Sequence, residues 1–205
     1  MKTKTIITIA TTLLSVSTLA VALEEAPSVK GTDAFYMGIS AGTSYGRDVC
    51  DGLLTCDDSD TGFKVYGGYQ FTPVWGVEAF YTDLGEFTGS SLVSVYPQFL
   101  SVSANASASG MGAVATASWP IGDSFALFSK LGFLYWSVES SASGGGYAVS
   151  IDDDGFGLAL GLGARYSFTD NFGVRAGWDW YTVGDDSTTG ESDVDLFSAG
   201  IFVSF

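Results

Sequence analysis

Histidine is absent from this chain, and Lys and Arg together number only 8 of 205 residues, against 23 Asp and Glu, for a formal net charge of −15. Without His, the commonest general base and the commonest zinc ligand are both missing. Ser-His-Asp and Cys-His chemistries are therefore excluded, and no enzymatic activity or cofactor is expected. So few cations also argue against a nucleic-acid partner, because phosphate contacts need Lys and Arg. Cysteine occurs only as Cys50 and Cys56. Beyond the first twenty-odd residues no stretch approaches 18 consecutive apolar residues, so no transmembrane helix is expected. Glycine and aromatics are abundant instead: 27 Gly, about twice ordinary usage, with Phe, Trp and Tyr at 15% and apolar residues at 46%. Such a composition does not describe a disordered chain. Its aromatic surface must be buried in a core or in lipid.

Residues 1–22 read as a secretory signal peptide. Lys2 and Lys4 supply the positive start, Ile6 to Leu19 an uncharged, largely apolar stretch, and Ala20-Val21-Ala22 the small-x-small cleavage pattern. The apolar run falls short of the ~20 residues a membrane anchor needs. The mature domain is expected over residues 23–205, beginning at Leu23 and exported from the cytoplasm.

The rest of the chain repeats one pattern: stretches of alternating residues separated by turn chemistry, with no sustained helical period. Eight strands are expected near 34–44, 62–71, 75–83, 101–119, 125–138, 155–168, 172–182 and 194–205. In the sixth, Phe156, Leu158, Leu160, Leu162, Ala164, Tyr166 and Phe168 share one face. Gly155, Gly157, Ala159, Gly161, Gly163, Arg165 and Ser167 share the other. The second and seventh strands divide in the same way. One face is bulky and apolar; the other is small, polar or charged. The facing of the Ser/Ala/Gly-rich fourth strand stays ambiguous.

A soluble sandwich would bury the bulky face and wet the polar one. A membrane barrel would turn the bulky face to lipid and the small face into a narrow lumen. Glycine weakens a solvated strand but suits an interior that barely admits side chains, as in a barrel of eight strands. The connections favour the barrel too. Phe71 to Trp75, Trp119 to Phe125 and Phe168 to Phe172 are short turns bracketed by aromatics, and the other four connections are long. Short turns at one end, long loops at the other and aromatic girdles mark outer-membrane barrels. The expected fold is all-β, an eight-stranded antiparallel up-and-down transmembrane β-barrel.

Parity then places the charges. Lys64, Lys130, Arg165 and Arg175 all lie on the face assigned inward, as do Glu78 and Asp179. Arg or Lys facing lipid at mid-depth costs ~2–4 kcal/mol, so inward is the tolerable direction. Unpaired charges in a narrow lumen are costly and paired ones satisfy each other. These six residues are therefore expected to form an interior salt-bridge network, with Glu78 meeting at least one of Lys130, Arg165 or Arg175. The pairs either fill the barrel or form a switchable gate. Most remaining acids fall in the long connections: Asp48, Asp51, Asp57, Asp58 and Asp60 in the first, Glu139 and Asp152 to Asp154 in the third, and Asp185, Asp186, Glu191, Asp193 and Asp195 in the fourth. They read as a solvated like-charge rim or as weak divalent-cation ligands; no metal-binding spacing is present. Cys50 and Cys56 share an exported loop, where oxidation is expected. A bridge there would add roughly 2.4 kcal/mol on the loop-entropy model.

The run Gly62-Phe63-Lys64-Val65-Tyr66-Gly67-Gly68-Tyr69-Gln70-Phe71, then Trp75-Gly76-Val77-Glu78-Ala79-Phe80-Tyr81-Thr82-Asp83-Leu84-Gly85, then Phe128-Ser129-Lys130-Leu131-Gly132 and the final Phe205 resemble the OmpA-like β-barrel family of Gram-negative outer membranes. The resemblance covers essentially all of the mature chain. It implies both barrel termini in the periplasm and makes Glu78 similar in position to the central carboxylate of the family's interior network. It also implies that Phe197, Ile201, Val203 and Phe205, alternating up to a terminal aromatic, resemble the C-terminal signal read by the barrel-assembly machinery. The expected partners are that machinery, periplasmic chaperones, outer-membrane lipids and lipopolysaccharide, and the barrel is expected to be a monomer. The chain stops at Phe205, so the peptidoglycan-binding domain of larger members is not expected. Two roles remain open: a structural or surface-interaction barrel, and a narrow, gated, porin-like channel for small solutes.

Overall fold

The computed structural model describes residues 34–47, 55–95, 98–144, 147–183 and 192–205. The signal-peptide segment, Cys50 and the acids at positions 48, 51, 185, 186 and 191 lie outside them. Every regular element among the described residues is a strand. They are β1 (Ala34–Gly46), β2 (Thr55–Asp57), β3 (Ser59–Gln70), β4 (Trp75–Val95), β5 (Gln98–Ile121), β6 (Phe125–Gly144), β7 (Tyr147–Ser167), β8 (Phe172–Val183) and β9 (Ser192–Ser204). Apart from the three-residue β2, each strand pairs antiparallel with the next. β9 pairs back onto β1, with Ile39 opposite Ile201 and Ala41 opposite Ala199. The sheet therefore closes on itself as an eight-stranded barrel and leaves no edge along the ring.

Alternation determines which face goes where. The bulky face points out: Phe133 is 65% exposed and Phe156 is 81% exposed, and Ile39, Val65, Val77, Leu131 and Leu162 share that surface. The opposite face, with Lys64, Tyr66, Glu78, Phe80, Lys130 and Asp179, is buried inside. A soluble sandwich would require the reverse. The fourth long strand, β5, follows the same rule. Val114, Thr116 and Ser118 point in and are buried, and Met111 points out.

The three short turns explain themselves locally. Phe71-Thr72-Pro73-Val74-Trp75 and Phe168-Thr169-Asp170-Asn171-Phe172 are built alike. The Thr hydroxyl oxygen accepts from the amide three residues on, Trp75 N at 2.8 Å and Phe172 N at 3.0 Å, and the Phe amide closes the turn onto the Trp75 or Phe172 carbonyl. The third turn passes through Gly122 at φ +76°, a conformation glycine adopts without strain.

At the opposite end the expected long loops between β4 and β5 and between β6 and β7 are replaced by ribbons. β4 runs on to Val95 and β5 begins at Gln98, while β6 runs to Gly144 and β7 begins at Tyr147. Asp152 to Asp154 are thus strand residues opposite Glu139, Val138 and Ser137. The strands outlast their alternation because no lipid band demands bulk on one face there, whereas backbone pairing continues. A β-bulge between Asp83 and Glu86, with Gly85 at φ +83°, also reverses the facing of β4, so that Leu84 and then Phe87 both point inward. β2 adds to the first ribbon outside the ring, pairing Cys56 with Gly89.

Candidate functional site

The middle of the lumen holds a chain of alternating charges. Arg175 on β8 reaches across to Glu78 on β4, with Nη1 2.6 Å from Oε2 and Nη2 3.4 Å from Oε1. Tyr36 on β1 donates its hydroxyl to Glu78 Oε2 at 3.1 Å. Lys130 on β6 lies 3.9 Å from Glu78 Oε1 and is ion-paired with Asp179 Oδ1. Asp179 Oδ2 in turn accepts from Lys64 Nζ at 3.1 Å, and Lys64 donates a second bond to the Tyr181 hydroxyl at 2.9 Å. Arg175, Glu78, Lys130, Asp179 and Lys64 thus alternate in sign across the barrel. Glu78 is 1% exposed, so its charge is held entirely by these partners.

Local sequence makes room for the pairing. Lys130, Gly161 and Asp179 sit in register on three neighbouring strands. A Cβ on Gly161 would come within 2.5 Å of Asp179 Oδ1 and 2.7 Å of Lys130 Cε, so the glycine between the two charged residues lets their ends meet. The third cation of the chain is balanced by rings rather than by a third carboxylate. Lys64 Nζ lies 4.3 Å from the Phe80 ring centroid, and the Arg175 guanidinium lies 4.1 Å from Phe128 and 4.4 Å from Tyr66.

Of the six residues assigned to the network, five meet in this chain and Arg165 does not. It faces inward, directly opposite Arg175 in register, but makes no ion pair or hydrogen bond among the described residues. Parity orients a side chain; it does not say which acceptors it meets, and both carboxylates are taken up by Arg175, Lys130 and Lys64.

Two further features escape the charge pattern. Toward the ribbon end, an apolar layer lies on the ionic one: Leu84 and Leu196, both 0% exposed, pack with Phe80, Leu134, Trp136, Tyr181 and Val194. Inward parity of Leu134 and Trp136 with Lys130 is the signal that would have revealed it. Asp195, grouped with the loop acids, belongs to β9 and is buried. It accepts from Trp178 Nε1 at 2.7 Å and pairs with Arg47 Nε at 2.5 Å. The remaining assigned residues, Phe197, Ile201, Val203 and Phe205, all project from the outer surface. The Phe205 amide bonds to the Phe35 carbonyl at 2.8 Å, joining the end of the described chain to β1. Cys56 lies on β2 in the outer segment.

A closed eight-stranded ring, apolar outside and ionic within, defines an integral membrane β-barrel of the outer-membrane type. The chain belongs to the OmpA-like transmembrane domain family, whose family model matches residues 30–205. Outer membrane protein A of Shigella flexneri is 28% identical over 211 residues, covering 98% of this chain and 56% of that protein. Outer membrane protein A of Salmonella typhi is likewise 28% identical, with 98% and 55% covered. The chain spans about half the length of these curated relatives. Among solved structures, the attachment invasion locus protein Ail of Yersinia pestis aligns with a TM-score of 0.57 at 18% identity, covering 85% of this chain and 100% of that one. Neisserial surface protein A aligns at 0.57 and 20% identity, covering 84% and 99%. The protein is accordingly a Gram-negative outer-membrane barrel.

Proposed function

We propose that this barrel is a closed, non-enzymatic structural element of the outer membrane that presents acidic β-ribbons at the cell surface. The observation that carries this reading is the doubly filled lumen, in which the Glu78-centred ionic layer is covered by the apolar layer of Leu84, Leu134, Trp136 and Leu196. An ion crossing it would have to break a buried ion pair and then pass a dry constriction. Planar-bilayer recordings of the refolded protein test the reading, with no steady conductance expected; a stable open level in every inserted molecule would overturn it. A narrow gated channel is the second reading. It is favoured by Lys130 standing between Glu78 and Asp179, since a lysine with two carboxylates in reach has an alternative partner if Arg175 lets go.

The same reading includes several assignments. Residues 1–22 direct export and are removed, and Phe197, Ile201, Val203 and Phe205 engage the barrel-assembly machinery after periplasmic chaperones deliver the chain. Cys50 and Cys56 form a disulfide in the first outer connection. The mature barrel is a monomer solvated by outer-membrane lipid and lipopolysaccharide, and its acids share divalent cations with the lipopolysaccharide phosphates.

A further inference from the structure

Two buried polar groups on the wall of the space below the ionic layer have no hydrogen-bond partner. A vestibule of about 240 Å³ opens at the short-turn end, with Arg165, Gln70, Tyr36 and Phe202 in its wall. It leads to a chamber of about 20 Å³ that shares those four residues and adds Thr116 together with Glu78 and Arg175 of the ionic layer. Gln70 and Thr116 are 6% and 4% exposed, and Gln70 Nε2 and Thr116 Oγ1 are buried without a hydrogen-bond partner. Buried donors of this kind are rare because each costs its desolvation. Beside them lies Arg165, with no ion pair or hydrogen bond among the described residues. It stands opposite Arg175 in register, where like charges repel. Glu78 and Asp179 are already shared among Arg175, Lys130 and Lys64, so the lumen carries uncompensated positive charge.

We infer that the vestibule is a binding site for a small monocarboxylate entering from the periplasmic end. A guanidinium fork matches a carboxylate in plane and takes both oxygens. The Gln70 amide and the Thr116 hydroxyl supply the remaining donors deeper in. Phe125 and Phe202 in the vestibule wall suit a short apolar tail. Asp123 and Asp170 on the turns at the mouth disfavour a ligand of higher negative charge. This site is independent of whether the barrel conducts, because the vestibule ends below the apolar layer.

The refolded full chain in detergent micelles, isotopically labelled, is titrated with sodium acetate at constant ionic strength. Side-chain NMR signals of Arg165 Nε and Gln70 Nε2 are followed. Both are expected to shift together along one saturable curve, with R165Q raising the apparent Kd at least tenfold and Q70L at least threefold. R165Q removes an unpaired, half-buried charge, so it should fold; the wild-type and Q70L titrations decide the matter if it does not. Linear, unsaturating shifts, or equal Kd values in wild type and Q70L, would overturn the site and leave water as the partner of these donors. Tighter saturation by inorganic phosphate than by acetate would overturn the carboxylate assignment.

Discussion

Glu78 is the residue on which most of the interior depends. It takes Arg175 through both oxygens, receives the Tyr36 hydroxyl and shares Lys130 with Asp179. Removing it leaves a largely buried guanidinium uncompensated, at a cost of ~3–5 kcal/mol. Glu78→Ala should therefore lower the urea midpoint of the lipid-reconstituted barrel far more than Asp152→Ala on the exposed ribbon. Double-mutant cycles give a sharper measurement. Glu78 with Arg175 should be strongly coupled and Glu78 with Lys130 more weakly, as 2.6 Å and 3.9 Å separations imply. The Glu78 and Arg165 changes should not show the favourable coupling of a direct pair. A Glu78–Arg165 coupling as large as the Arg175 one would contradict this geometry.

Among the elements, β4 carries the most unusual conformation. At its bulge the Asp60 carboxylate accepts from the Glu86 and Thr61 amides, both at 2.7 Å, and Gly85 donates to Asp83 Oδ1 at 2.9 Å. Gly85 has positive φ, and a Cβ there would lie 2.6 Å from Asp60 Oδ2. Gly85→Val should cost more than the ~1–2 kcal/mol of left-handed backbone strain alone. Gly122→Val, also at positive φ but with nothing within 4 Å, should cost about that strain and no more. Unfolding midpoints of the two variants make the comparison. The ribbons beyond the girdle predict the opposite behaviour. The tip of β6 and β7, where Ser140 faces Ile151 and Gly144 faces Tyr147, contributes none of its described residues to the buried apolar cluster of the barrel. Replacing residues 140–151 with a short turn should leave heat-modifiable migration on gels unchanged; loss of the folded band would mean that the ribbon guides assembly. β9 ends differently, with Phe205 outward and its amide on Phe35. Deleting Phe205 should reduce folded barrel in the membrane while export continues. Unchanged amounts would reduce this aromatic to an ordinary lipid-facing side chain.

For the whole molecule, two barriers stand in series along the lumen, one ionic and one apolar, and conduction requires both to yield. Glu78→Ala alone opens the ionic layer but leaves Leu84, Leu134, Trp136 and Leu196 in place. Its bilayer conductance should stay near that of the wild type. Combining it with Leu134→Ala and Trp136→Ala should give discrete openings. A Glu78→Ala barrel that conducts as well as the triple variant would show the apolar layer to be no barrier and would favour the gated-channel reading.

Much of this architecture was legible in one sequence because facing in a strand depends only on the residue next door. The positions of Lys64, Glu78, Lys130, Arg165, Arg175 and Asp179 on one side, and of Phe133, Phe156 and Leu162 on the other, need no knowledge of which strands are neighbours. The aromatic-bracketed turns likewise carry their own chemistry, as Thr72 and Thr169 illustrate. Depth and partnership are another matter. Which cation meets Glu78 depends on how strands on opposite walls are staggered when the sheet closes, a property of the ring and of no single segment. That stagger brings Arg175 and Lys130 to the carboxylate and leaves Arg165 alone in the vestibule. The bulge at Gly85 resets facing midway along β4, and the ribbons run on where alternation has lapsed. Period-two chemistry thus determined what faces lipid and what faces the lumen; closure of the barrel decided what meets across it, because contacts across a lumen are set by register summed over all eight strands.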